Sequence, residues 1–218
     1  MSTRIKVIWV VLVFVILSVA LGYAESDEVI DFYTTRAEQV YQSRSPFESG
    51  IQFSFKAHTY FKIFNGDQNA IVTDSAETVY YFNYGEIDST KVVYSFKREE
   101  QAIEFSYPNI FTDDYVYNFY PHDTGGGDLS IGFDSKDFEI GVPIGIAVID
   151  RDRYFLKWLY MHFLFDKRAD RFSRSYRFTE VEGFVFPDSI WESRARKTFF
   201  ASEYYRIETG ISDIKIYR

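Results

Sequence analysis

The chain contains no cysteine in its 218 residues. Disulfides, thiol catalysis and Cys-ligated zinc are therefore excluded together. An acylated amino-terminal cysteine is excluded as well, so the protein is not itself a lipoprotein. Histidine is scarce, with only His58, His122 and His162. No two of them have the spacing that brings metal ligands together. His58 and His162 read as structural residues within strands. Asp123 and Asp128, near His122 and across the Gly125–Gly127 loop, read as a solvated turn. Net positive charge is lacking too: the chain carries −8, which gives no electrostatic basis for binding a phosphate backbone. There is no Walker or Rossmann glycine loop and no Gly-x-Ser-x-Gly elbow. The paired acids Glu99/Glu100, Asp113/Asp114 and Asp150/Asp152 lie side by side on turns rather than opposed across a cleft. The expectation is a protein that is not an enzyme, with no cofactor, no metal and no nucleic-acid partner.

Long apolar runs are rare, and the one at the amino terminus is informative. Arg4 and Lys6 precede Val7 to Leu21, which is interrupted only by Ser18. Small residues follow in Gly22-Tyr23-Ala24, with an alternative set at Ala20-Leu21-Gly22, and the sequence then turns acidic from Glu25 to Glu28. This order matches a secretory signal peptide over residues 1–24. A retained membrane anchor is the rival reading, because the run approaches the roughly 20 residues that a spanning helix needs. Cleavage removes two cations and no acid, and leaves a net charge of −10. The remaining residues 25–218 read as one exported domain, periplasmic in location, or membrane-anchored if the segment is retained.

Aromatic residues are abundant, at 20% of the chain with 23 Phe, 18 Tyr and 3 Trp. They favour strands and bury large apolar bodies. Ser26 to Gln42 reads as an amphipathic helix, with Val29, Ile30, Tyr33, Ala37, Val40 and Tyr41 on one stripe. Ser45-Pro46 and Gly50 end it. Ile51 to Phe64 then alternates strictly, with Ile51, Phe53, Phe55, Ala57, Thr59, Phe61 and Ile63 on one face. Further strands are expected at Thr78 to Tyr84, Lys91 to Lys97, Gln101 to Tyr107, Tyr115 to Tyr120 and Leu129 to Ile140. Gly141 to Ile149 is either a loop that covers the core or a short strand. Arg153 to Phe165 is apolar on both faces and reads as a strand covered on both sides, with a buried helix as competitor. Arg171 to Thr179, Gly183 to Arg194, Thr198 to Thr209 and Asp213 to Tyr217 complete an antiparallel meander. Lys167, Arg168, Arg171, Arg174 and Arg177 form a basic cluster, joined by Arg194, Arg196 and Lys197. On a strand, Arg171 and Arg177 share a face and Arg174 takes the other. Cross-strand ion pairing competes here with recognition of an acidic headgroup.

The carboxy-terminal third carries a further pattern. Arg174 to Thr179 is followed by Glu182-Gly183-Phe184-Val185-Phe186-Pro187, then Ile190 to Glu192, Tyr204-Tyr205-Arg206-Ile207 and Ile211-Ser212-Asp213-Ile214. Together with the leader, the first helix and the strand Ile51 to Phe64, this resembles the bacterial lipoprotein carrier and lipoprotein-sorting superfamily. The resemblance implies an α+β fold: a curved antiparallel sheet, an unclosed β-barrel, with an N-terminal amphipathic helix and few other helices on the sheet. It also implies an apolar concavity that holds acyl chains. The chain departs from the superfamily in lacking a pair of lid helices, which leaves Gly141 to Ile149 as the only apolar insert available as a lid. It also lacks the Pro- and Arg-bearing segment around Thr78 to Asp88.

The function implied is a periplasmic carrier or binding protein for a lipid or lipidated protein. Phe53, Phe55, Phe61, Tyr154, Leu156, Trp158 and Tyr160 are the candidate walls, and Arg174 would meet the polar end of the ligand. The alternative is a non-catalytic envelope scaffold with a filled aromatic core that binds envelope proteins by its rim.

Overall fold

Period-two alternation of large apolar and polar residues dominates the chain after Gly50, and it folds as strands. The computed structural model describes residues 28–64, 70–95, 104–120, 127–137, 141–164, 171–197 and 202–217. Residues 1–24, read above as a leader, and His122 lie outside them. Among the described residues the helix α1 covers residues 28–44, ending two residues later than expected. Its buried stripe is Ile30, Thr34, Ala37 and Tyr41. Val29 is exposed instead, and the Thr34 hydroxyl takes up the Ile30 carbonyl at 3.0 Å.

The strands are β1 (Gln52–Phe64), β2 (Ala70–Asn83), β3 (Glu86–Tyr94), β4 (Tyr115–Phe119), β5 (Asp128–Ser135), β6 (Pro143–Asp150), β7 (Leu156–Phe163), β8 (Arg171–Val181), β9 (Phe184–Lys197) and β10 (Ser202–Tyr217). They form one sheet in the order β3-β2-β1-β10-β9-β8-β7-β6-β5-β4. Every pairing is antiparallel. Sequence neighbours are sheet neighbours, except that β3 and β4 lie at opposite edges and β1 pairs with β10. β3 and β4 are the free edges, so the curved sheet is an unclosed barrel with α1 on it.

Several boundaries differ from expectation, each for a physical reason. The β2–β3 turn is two residues long rather than six, because Tyr84 (φ 50°) and Gly85 (φ 81°) both adopt positive φ. That is the type I′ geometry whose twist matches the flanking strands. The polar stretch after it stays extended as an exposed edge strand. Glu182 (φ 50°) and Gly183 (φ 90°) repeat the device between β8 and β9. Gly141 to Ile149 is not a cover: β6 is an internal strand paired on both sides. Its Gly145 admits the Phe133 ring and the Tyr160 carbonyl, which an added Cβ would meet at 2.9 and 1.8 Å. The last two expected strands are one, β10, with a register shift opposite Ser54 and Lys56 and Asp213 at φ 52°. β7 buries only one face, with Leu159, Met161 and Phe163 inward.

Of the strand expected at Gln101 to Tyr107, the described residues 104–107 are not in a strand. Residues 104–111 instead cross the concave face without joining the sheet, and bury Phe105, Tyr107, Ile110 and Phe111. Phe105 packs on Phe55 (4.9 Å) and Tyr80 (4.6 Å), and Tyr107 on Tyr41 (5.3 Å) and Phe178 (4.6 Å). One core therefore runs from β1 and β2 through the crossing segment and α1 to β5.

Candidate functional site

Alternation along β8 turns Phe172, Arg174, Tyr176 and Phe178 inward and leaves Arg171 and Arg177 exposed. Arg174 is therefore the member of the basic cluster that faces the concavity, as the spacing predicts. It is only 4% exposed. A cation so placed needs partners, because burial of an unpaired charge is costly. β9 supplies Glu192 directly opposite in register. Its Oε2 accepts from Arg174 Nη2 at 2.7 Å and from Nε at 3.0 Å. The crossing segment supplies Glu104, whose Oε2 accepts from Arg174 Nη1 at 2.7 Å. Arg194 pairs with the other oxygen of Glu192.

The two carboxylates are not equivalent. The Glu192 side chain is 9% exposed and that of Glu104 is 55% exposed. Glu192 is a fixed counter-ion, whereas Glu104 reaches Arg174 from the solvent side and is exchangeable. Burial by itself would lower the guanidinium pKa, but Tyr176, Glu192 and Glu104 outweigh it and hold it up. Arg174 is thus a permanent cation.

Arg174 lies on the wall of an open cavity of about 810 Å3. Met161, Phe163 and Pro143 give it an apolar side, and Glu104, Ser106 and Asn109 of the crossing segment a polar one. The volume lies within the roughly 300–1,000 Å3 typical of small-molecule sites. Tyrosines tie the segment to the sheet and helix. Tyr176 donates to the Ser106 carbonyl at 2.9 Å, Tyr41 to the Tyr107 carbonyl at 2.8 Å, and Tyr117 to the Ile110 carbonyl at 2.7 Å. Burial pushes the Tyr176 hydroxyl up to about 12, against the opposing pull of Arg174. Burial also raises Tyr41, Tyr107 and Tyr117.

The residues expected at the site are divided by the fold. Phe53, Phe55 and Leu156 are buried on the concave side, and Phe61 is half-buried there beside Tyr205 at 6.0 Å. Trp158 and Tyr160 stack on each other at 6.0 Å on the outer face. A register shift separates Leu156, opposite Ile149, from Trp158, opposite Val148, so these two do not share a face as alternation predicts. Tyr154 precedes β7 at φ 61° and packs on Phe32 and Tyr33 of α1. Of the eight, Arg174 alone lines the cavity. Glu104, Glu192, Met161 and Phe163 escaped the sequence reading. Spacing about the Glu182-Gly183 turn would put Trp191 opposite Arg174; the register shift between Arg177 and Phe178 brings Glu192 there instead, so no local signal marked the pair. Residues 104–108 alternate like a strand, which disguised the crossing segment.

Among the described residues no group of three His, Asp or Glu side chains could hold a metal. No helix among them is long and apolar enough to cross a membrane.

No protein-family model and no curated protein matches the chain. Solved structures share its outline. The chain is similar to a LolA superfamily protein from Nitrosomonas europaea, over 84% of this chain and 93% of that one, at 10% identity and a TM-score of 0.38. It is similar to an outer membrane lipoprotein-sorting protein domain from Vibrio parahaemolyticus, over 84% and 91%, at 8% identity and a TM-score of 0.45. A DUF1329 family protein from Desulfovibrio piger aligns over 88% and 93%, at 11% identity and a TM-score of 0.43.

Proposed function

We propose that the protein is an exported carrier or binding protein of the bacterial envelope that holds the acyl chain of a lipid or lipidated protein. On this reading residues 1–24 are a signal peptide and residues 25–218 the binding domain, working in the periplasm. The observation that carries it is the cavity at Arg174, a buried permanent cation beside an apolar wall. An acyl chain lies along Met161, Phe163 and Pro143, where each buried methylene contributes about 0.8 kcal/mol. Its anionic end takes the place of the Glu104 carboxylate on Arg174, whose planar fork suits carboxylate or phosphate. The crossing segment is the cover. A longer chain reaches the Phe53 and Phe55 wall only if Phe105 moves out.

One observation favours a second reading. Around Phe53 the concavity is filled: Phe82 stacks at 4.6 Å, and Phe186 and Phe47 approach at 5.3 and 5.5 Å. A scaffold with this core would bind envelope proteins by an edge strand such as β3. A displacement assay with a fluorescent fatty acid separates the two. Saturable binding that is weakened in Met161→Glu supports the carrier. Absence of saturable binding, with capture of an envelope protein that is lost on a β3 substitution, supports the scaffold.

A further inference from the structure

A second cavity lies on the outer face, at the end of the sheet where β7 meets β8 and β9 meets β10. Its volume is about 400 Å3. Two cross-strand rows build it. His162, Ser173, Ser193 and Arg206 stand side by side on β7, β8, β9 and β10, and Arg171, Ala195 and Tyr204 form the next row. In the first row the small Ser173 and Ser193 lie between His162 and Arg206, and in the second the small Ala195 lies between Arg171 and Tyr204. Neighbouring strands are about 4.8 Å apart, so the walls on β7 and β10 stand roughly 14 Å apart across a shallow hydroxyl-bearing floor.

The charge of this groove is opposite to that of the molecule. The chain carries −8, yet among the described residues no Asp or Glu lines the groove, while Arg171 and Arg206 do, and Arg194, opposite the inward Phe172, borders it from the concave side. Arg194 is already paired with Glu192. Arg206 lies 5.7 Å from the centroid of the Phe64 ring, which holds the side chain over the sheet. Arg171 and Arg206 have no carboxylate partner among the described residues, unlike the other outer-face arginine, Arg177, which is bound to Asp188 at 2.8 Å. Two free guanidinium groups above two serine hydroxyls offer more donors than a carboxylate can accept. They match the three terminal oxygens of a phosphate monoester or the two of a diester, and Tyr204 supplies a flat face for the group that carries it.

We propose that this outer groove binds a phosphate group, borne either by a membrane lipid headgroup or by a soluble phosphate monoester. The site is separate from the Arg174 cavity, on the opposite face of β8, and does not depend on what that cavity holds. The test uses the full exported domain with two probes: glycerol 3-phosphate followed by calorimetry, and sedimentation with phosphatidylcholine vesicles with and without phosphatidylglycerol. At least one phosphate probe binds, and Arg171→Gln with Arg206→Gln weakens it by about tenfold or more, the equivalent of one lost charge-assisted bond. Ser193→Trp, which fills the floor, does the same, and Arg177→Gln, on the outer face but outside the groove, leaves it unchanged. Binding to phosphatidylglycerol vesicles without binding of the soluble ester assigns a lipid headgroup. Binding of the soluble ester alone assigns a soluble ligand. Failure of both probes overturns the proposal, as does binding that both groove variants leave intact.

Discussion

Arg174 is held by two carboxylates of unequal exposure, and only the outer one is free to leave. Glu104→Gln removes the competing charge while it keeps the shape of the side chain. A fluorescent fatty acid should then bind about tenfold more tightly than to the parent, as one charge-assisted bond is worth. Unchanged affinity would place the acyl carboxylate elsewhere. Arg174→Met behaves differently, because Glu192 is left with Arg194 alone in a buried site. Denaturant unfolding should show a loss of about 3–5 kcal/mol. The same burial means that Arg174→Glu tests stability before it tests ligand choice. The buried tyrosines set an alkaline limit. Their hydroxyls titrate near 10 in an unfolded chain and higher in the fold, near 12 for Tyr176. The folded state therefore holds these protons more tightly, and stability falls as pH rises above about 10. Thermal melts from pH 8 to 12 should show that fall, and Tyr176→Phe should make it shallower.

Among the elements, the type I′ hairpin between β2 and β3 sits tightly against the turn after α1. An added Cβ on Gly85 would lie 2.1 Å from the Phe47 carbonyl, at φ 81°. Gly85→Ala should cost about 1–3 kcal/mol or more in stability, read by the denaturation midpoint. Near-parental stability would mean that the hairpin relaxes. The strands were legible in the sequence because period-two alternation is a local signal, and β1 follows it from Phe53 to Ile63. The bulge beside Leu156 was not legible, since it arises from pairing with Ile149 and Val148, and it moved Trp158 and Tyr160 to the outer face. The crossing segment was hidden for a related reason: Phe105 and Tyr107 alternate with polar residues as in a strand, but their partners are rings on β1, β2 and β8 rather than a neighbouring backbone. Arg174 was legible because parity on β8 separates it from Arg171 and Arg177. Its partner Glu104 was not, being 70 residues away in sequence.

At the scale of the molecule, the sheet is closed by packing rather than by hydrogen bonds. β3 and β4 leave the barrel open, and α1 with residues 104–111 fills much of the concavity and leaves the cavity at Arg174. The central claim is that this space takes an acyl chain with an anionic end. Native mass spectrometry of the protein isolated from the envelope fraction tests it most directly. The predicted result is a bound species heavier than the mature chain by the mass of an acyl-bearing molecule, released on denaturation and depleted in Met161→Glu. A single species at the mass of the bare chain, from a preparation that also fails to take up added fatty acid, would contradict it.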